Sequence, residues 1–117
     1  MTIFQRIINH ELPADIVFES DSFIAFRDIA PKAPVHVLVV PKAHSARLDD
    51  IPETEAIGHL FQAAIRVARD SLNLTDYRLV VNVGAGAGQV VFHTHVHILG
   101  GWNSRDEDSH VEEMGSH

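Results

Sequence analysis

At 117 residues, 45% of them hydrophobic, the chain has the length and composition of one globular domain with a modest core. Sixteen acidic residues against nine basic ones give a net charge of −7, which argues against polymeric nucleic acid, a partner held largely by basic contacts to phosphates. Cysteine is absent, which excludes a disulfide scaffold, thiolate catalysis and cysteine-ligated zinc; with no apolar run near about 18 residues and no basic-then-apolar leader, no membrane association is expected and the expected location is cytoplasmic.

Thr2 and Gln5 form a capping-box pair, and Ile3, Phe4, Ile7 and Ile8 recur at helical spacing, so a short first helix is predicted. Pro13 closes that region. Residues 16–18 and 23–26 read as strands, and the turn-forming segment 19–22 joins them as a hairpin. Pro31 and Pro34 make 28–34 a loop, and 35–40 is a third strand stopped by Pro41. Asp50 as cap, with Glu53 three residues on, predicts the start of the main helix. Its apolar stripe runs through Ala56, Ile57, Leu60, Phe61, Ala64, Ile65, Ala68 and Leu72. Residues 77–83 form a fourth strand, and the glycine-rich loop 84–89 leads to the histidine segment. That loop lacks the helix that a dinucleotide fingerprint requires, but beside histidines its glycines suit backbone N–H groups approaching a phosphate.

Residues 91–99, Val-Phe-His-Thr-His-Val-His-Ile-Leu, alternate as a strand does. Extended backbone would place His93, His95 and His97 on one face and Phe92, Thr94, Val96 and Ile98 on the other. Two chemistries fit such a row: ligation of a metal, or a nucleophilic imidazole held by its neighbours. Spacing does not separate them. Short links favour an antiparallel meander, with the long helix crossing between the third and fourth strands. Phe92, Val96 and Ile98 would then bury against the helix, leaving the histidines on the open face with His36 and Asn82. The fold class expected is α+β over residues 1–102. Residues 103–117 read as an acidic, flexible tail in which Asp106, Glu107, Asp108, Glu112 and Glu113 stand against Arg105.

The segment His93-Thr94-His95-Val96-His97-Ile98-Leu99 resembles the signature of the histidine-triad (HIT) family. The likeness extends to Ile3-Phe4-Gln5-Arg6-Ile7-Ile8, Ala33-Pro34-Val35-His36, Val40-Pro41-Lys42-Ala43-His44, Tyr77-Arg78-Leu79-Val80-Val81-Asn82 and Gly100-Gly101. Over about residues 2–101 the chain resembles the Hint branch of nucleotide-binding phosphoramidases. The resemblance implies a HIT-like sheet of five strands with one long and one short helix, joined across a homodimer into ten strands. It also implies hydrolysis of purine nucleoside 5′-phosphoramidates to the monophosphate and an amine, with no cofactor and no metal.

By the same resemblance His95 is the nucleophile, His97 a donor to the phosphate and a candidate proton source, His93 an orienting residue and His36 a support for the triad. Asn82, Gly88 and the Val91 N–H match positions on the phosphate or ribose side. Asp28 matches the acidic residue for ribose hydroxyls, and Ile7, Phe26, Ile29 and Leu38 match an apolar base cleft. Val90 stands where the family usually carries serine. Other readings are a Fhit-like dinucleoside polyphosphate hydrolase, a nucleotide-binding regulatory module with little turnover, and a metal-binding protein built on the three histidines.

Overall fold

In a computed structural model of the chain, residues 1–102 are described. The flexible tail expected over 103–117 lies outside the described residues.

Helix α1 (Ile3–Ile8) opens with the capping box read from the sequence: Gln5 N–H donates to Thr2 Oγ1, and Thr2 N–H donates to the Gln5 side chain. Strands β1 (Ile16–Glu19) and β2 (Phe23–Arg27) form the hairpin, and β3 (Val35–Pro41) follows. Helix α2 (Thr54–Arg66) runs on through a wider turn at Val67–Ser71 before β4 (Tyr77–Val80) and β5 (Val96–Gly100). Asp50 does not cap α2. It closes a short turn, Leu48–Asp50, where its carboxylate accepts the Arg47 N–H, and α2 begins after Glu53 without a side-chain cap. Among the described residues, no helix is long and apolar enough to cross a membrane.

All five strands pair antiparallel in one sheet, in the order β1-β2-β3-β5-β4. The expected meander therefore holds only for the first three strands. The chain leaves β3 through α2, lays β4 at the far edge and returns to insert β5 between β3 and β4. Directly paired residues share a face, so the register sorts the side chains into two layers. Ala25, Val37, Val39, Val96 and Ile98 pack against Leu60, Ala64, Val67 and Ala68 at α2 and the turn that extends it. Ile24, Phe26, Leu38 and Val40 pack against Phe4 and Ile7 of α1. The face expected to be open is thus covered in part by α1.

The histidine segment departs furthest from expectation. Strand pairing starts only at Val96, so His97 is the single triad histidine on a strand. His93 and His95 lie on the chain approaching it. There the backbone is committed sideways: Thr94 N–H donates to the Ser45 carbonyl at 2.8 Å, and the Ser45 and Thr94 hydroxyls pair at 2.8 Å. Phe92, expected to bury against the helix, is 39% exposed, whereas Val96 and Ile98 bury fully.

Candidate active site

The site forms where β5 lies against β3. Leu38 is the register partner of His97, and His36, two residues away along β3, comes out on the same side. His36 Nε2 lies 2.9 Å from His97 Nδ1, and Asp28 Oδ2, just beyond β2, lies 3.4 Å from His36 Nε2. The His97 ring is in turn 5.0 Å from that of His95, centroid to centroid. Asp28, His36, His97 and His95 therefore run as one buried row.

Backbone groups fix which nitrogens carry protons. His95 Nδ1 stands 2.6 Å from the His93 carbonyl, which can only accept, so Nδ1 carries the proton and Nε2 of the neutral ring carries the lone pair. Lys32 N–H donates to His36 Nδ1 at 3.0 Å, so the His36 proton is on Nε2. His93 Nε2 donates to the Pro41 carbonyl at 2.7 Å. Burial pushes the His93 pKa below its ordinary value, against the raising effect of the Pro41 carbonyl and with further lowering from His44. His93 is therefore a neutral strut, joined to the 41–45 segment rather than to a common point with the other two.

A cleft of about 360 Å³ opens beside this row, within the size range of small-molecule sites. Ile7, Phe26, Asp28, Ile29, Leu38 and Val91, all singled out from the sequence, line it. Asn82, Gly88 and Val90 do not. Asn82 follows β4, Gly88 takes a left-handed conformation at the end of the glycine loop, and Val90 is 67% exposed.

Three contributors escape a reading of the sequence. Phe4 looks like an ordinary helix-core residue at i, i+3 from Ile7, yet its ring meets His95 edge to face at 4.9 Å and 89° while also lining the cleft. His44, three residues after Pro41, reads from the sequence as a loop histidine with at most a lesser supporting role, but its ring packs against His93 at 4.9 Å. Gln89 is a loop glutamine by sequence. Buried, it accepts the Gly84 N–H and donates to the Ala46 and Val91 carbonyls, closing the glycine loop.

Metal ligation by the three histidines of the motif does not match this geometry. Among the described residues the ligand-like cluster is Asp28, His36 and His97. Ligation through His36 Nε2 would place that ring's proton on Nδ1, where the Lys32 N–H already points.

Residues 9–104 match the family model of the HIT domain. The chain belongs to the HIT family. It is 52% identical over 103 residues to an uncharacterized HIT-like protein of Synechocystis sp., with 86% of this chain and 90% of that protein covered. Among solved structures it is similar to a HIT family hydrolase from Legionella pneumophila, with a TM-score of 0.81 and 40% identity over 88% of this chain and 95% of that one. A HIT family hydrolase from Clostridium thermocellum gives a TM-score of 0.80 and 45% identity over 88% and 92%.

Proposed function

We propose that this HIT protein binds a purine nucleotide and hydrolyses nucleoside 5′-phosphoramidates at the P–N bond through a covalent intermediate on His95. The observation that carries the reading is the tautomer of His95. Its Nδ1–H is held by the His93 carbonyl, so Nε2 is the nitrogen able to attack, next to an apolar cleft sized for a nucleoside. In this reading the base lies among Ile7, Phe26, Ile29 and Leu38, and Asp28 meets the sugar hydroxyls. The phosphoryl group faces His97, with Asn82, Gly88 and the Val91 N–H on its other side.

His95 Nε2 forms a bond to phosphorus as the P–N bond breaks. The departing nitrogen takes its proton from solvent, and the His97 N–H holds an equatorial oxygen. Water then attacks phosphorus, releasing the nucleoside monophosphate and restoring His95. No step calls on a metal. We also place two copies of the chain edge to edge in a homodimer, the assembly that the family resemblance implies.

The test is a panel of P–N and P–O–P linked adenosine substrates, run with and without a chelator on wild type and His95→Ala. Phosphoramidate turnover insensitive to chelation is expected. His95→Ala should abolish turnover while AMP binding stays within about tenfold, ~1.4 kcal/mol. Near wild-type kcat in that variant would remove His95 as the nucleophile, and preference for the P–O–P series would move the chain to the dinucleoside polyphosphate class.

A further inference from the structure

The loop between β2 and β3 meets the His36 imidazole from both sides, with the Lys32 N–H at Nδ1 and the Asp28 carboxylate at Nε2. Asp28 N–H donates to the His36 carbonyl at 2.9 Å, Asp28 Oδ1 accepts the Ala30 N–H at 2.9 Å, and Lys32 N–H donates to His36 Nδ1 at 3.0 Å. The Asp28 and His36 side chains are 1% and 0% exposed. A carboxylate whose only task is to meet a ligand's hydroxyls has no need to be buried against a histidine, and burying it there is costly unless it is paired.

The proton bookkeeping gives the contact a purpose. His36 has one ring proton, on Nε2, because the Lys32 amide can only donate to Nδ1. That proton is given to His97 Nδ1 at 2.9 Å, while the Asp28 carboxylate, 3.4 Å from the same nitrogen, favours N–H over a lone pair at Nε2 by its charge and so acts with the Lys32 amide in holding this tautomer. Since His97 Nδ1 accepts, neutral His97 carries its own proton on Nε2. A doubly protonated His97 would set two N–H groups against each other. The further neighbour of His97 along the row is the His95 ring, 5.0 Å away.

We propose that Asp28 is a positioning residue as well as a wall of the cleft: through His36 it fixes His97 as an Nε2–H donor to the phosphoryl group. This rests on the phosphoryl-transfer reading above and extends the part played there by Asp28. His97 then acts as a fixed donor and not as a titrating acid. The loop holding it is the one whose Ile29 stands 96% exposed on the cleft wall, so cleft and donor are joined through residues 28–32.

The experiment compares wild type with Asp28→Asn and Asp28→Ser, the latter keeping an oxygen for the Ala30 N–H. Each is assayed on adenosine 5′-phosphoramidate and its 2′,3′-dideoxy analogue, and ring nitrogens are read by ¹⁵N NMR without ligand. A residue that served only the sugar would raise KM on the ribose substrate and leave the dideoxy substrate unaffected. The proposal expects kcat to fall about tenfold on both substrates. It also expects wild-type His36 and His97 to be Nε2–H tautomers at neutral pH, and His97 to lose its fixed tautomer in both variants. Unchanged kcat on the dideoxy substrate overturns the proposal, as does an Nδ1-protonated His36 in the wild type or an unaltered His97 in the variants. The NMR arm needs no turnover, so it decides the point even if the substrate assignment fails.

Discussion

At the scale of single residues the backbone chooses the chemistry of each imidazole. The His93 carbonyl leaves His95 one nitrogen with a lone pair, the one the proposed mechanism uses, and the Lys32 amide leaves His36 one proton to give. If His97 is a fixed donor, no ring at the site is free to protonate a departing amine, and Val90, exposed where the family usually has serine, has no proton to offer. Val90→Ser is therefore expected to raise kcat/KM for alkylamine phosphoramidates by roughly tenfold, ~1.4 kcal/mol, and to leave an adenylate with an acidic leaving group nearly unchanged. The measurement is a leaving-group series on both proteins; equal slopes against amine pKa would reduce position 90 to packing. His93 supplies a stability prediction. Burial depresses its folded pKa, so below its unfolded value of about 6.5 the unfolded chain binds more protons and stability falls as pH drops. Urea midpoints should decline from pH 7 towards 5.5, and His93→Gln should flatten that slope. The motif residues were legible because their types and spacing are local. The Asp28–His36 contact was not, since it depends on where a loop folds back after β2.

Among the elements, the loop between β4 and β5 shows how far local signals reach. Its glycines mark a turn, and Gly84 and Gly88 do take φ of +94° and +93°, where a side chain would be strained. Nothing in the same stretch reveals that the Gln89 carboxamide bonds Gly84, Ala46 and Val91 together. Gln89→Ala would leave buried partners unsatisfied, at a cost of about 2 kcal/mol. It is expected to lower the urea midpoint accordingly and to raise KM by loosening the loop that the proposed binding mode sets beside the phosphate. An unchanged midpoint would show that water replaces the carboxamide. The capping box of α1 and the first three strands could be read directly because each rests on neighbours in the chain. Alternation could not reveal that β5 begins at Val96, because the Thr94 N–H goes to Ser45 instead of a strand partner. Helix α2 was legible as a stripe, but its start was not: Asp50 has a competing use on the Arg47 N–H.

For the whole molecule, the sheet ends in β1 on one side and β4 on the other. The β1–β2 register shifts between Ile16 and Phe18, an irregularity that discourages pairing with another chain, whereas β4 is regular across Tyr77–Val80. Light scattering at micromolar concentration is expected to give twice the 13.0 kDa chain mass, and Leu79→Pro at the β4 edge should shift it towards the monomer. A single-chain mass at every concentration would leave β4 as a bare edge. The strand order also bears on how the protein comes into being. Among the described residues the strand made last is the one that enters the middle of the sheet, so a nascent chain up to residue 95 holds β4 without its β5 neighbour and Leu38 with no His97 opposite. Closure of this sheet and assembly of the Asp28–His36–His97–His95 row are then one event, and a chain broken off early lacks that row, even with His93 and His95 already made.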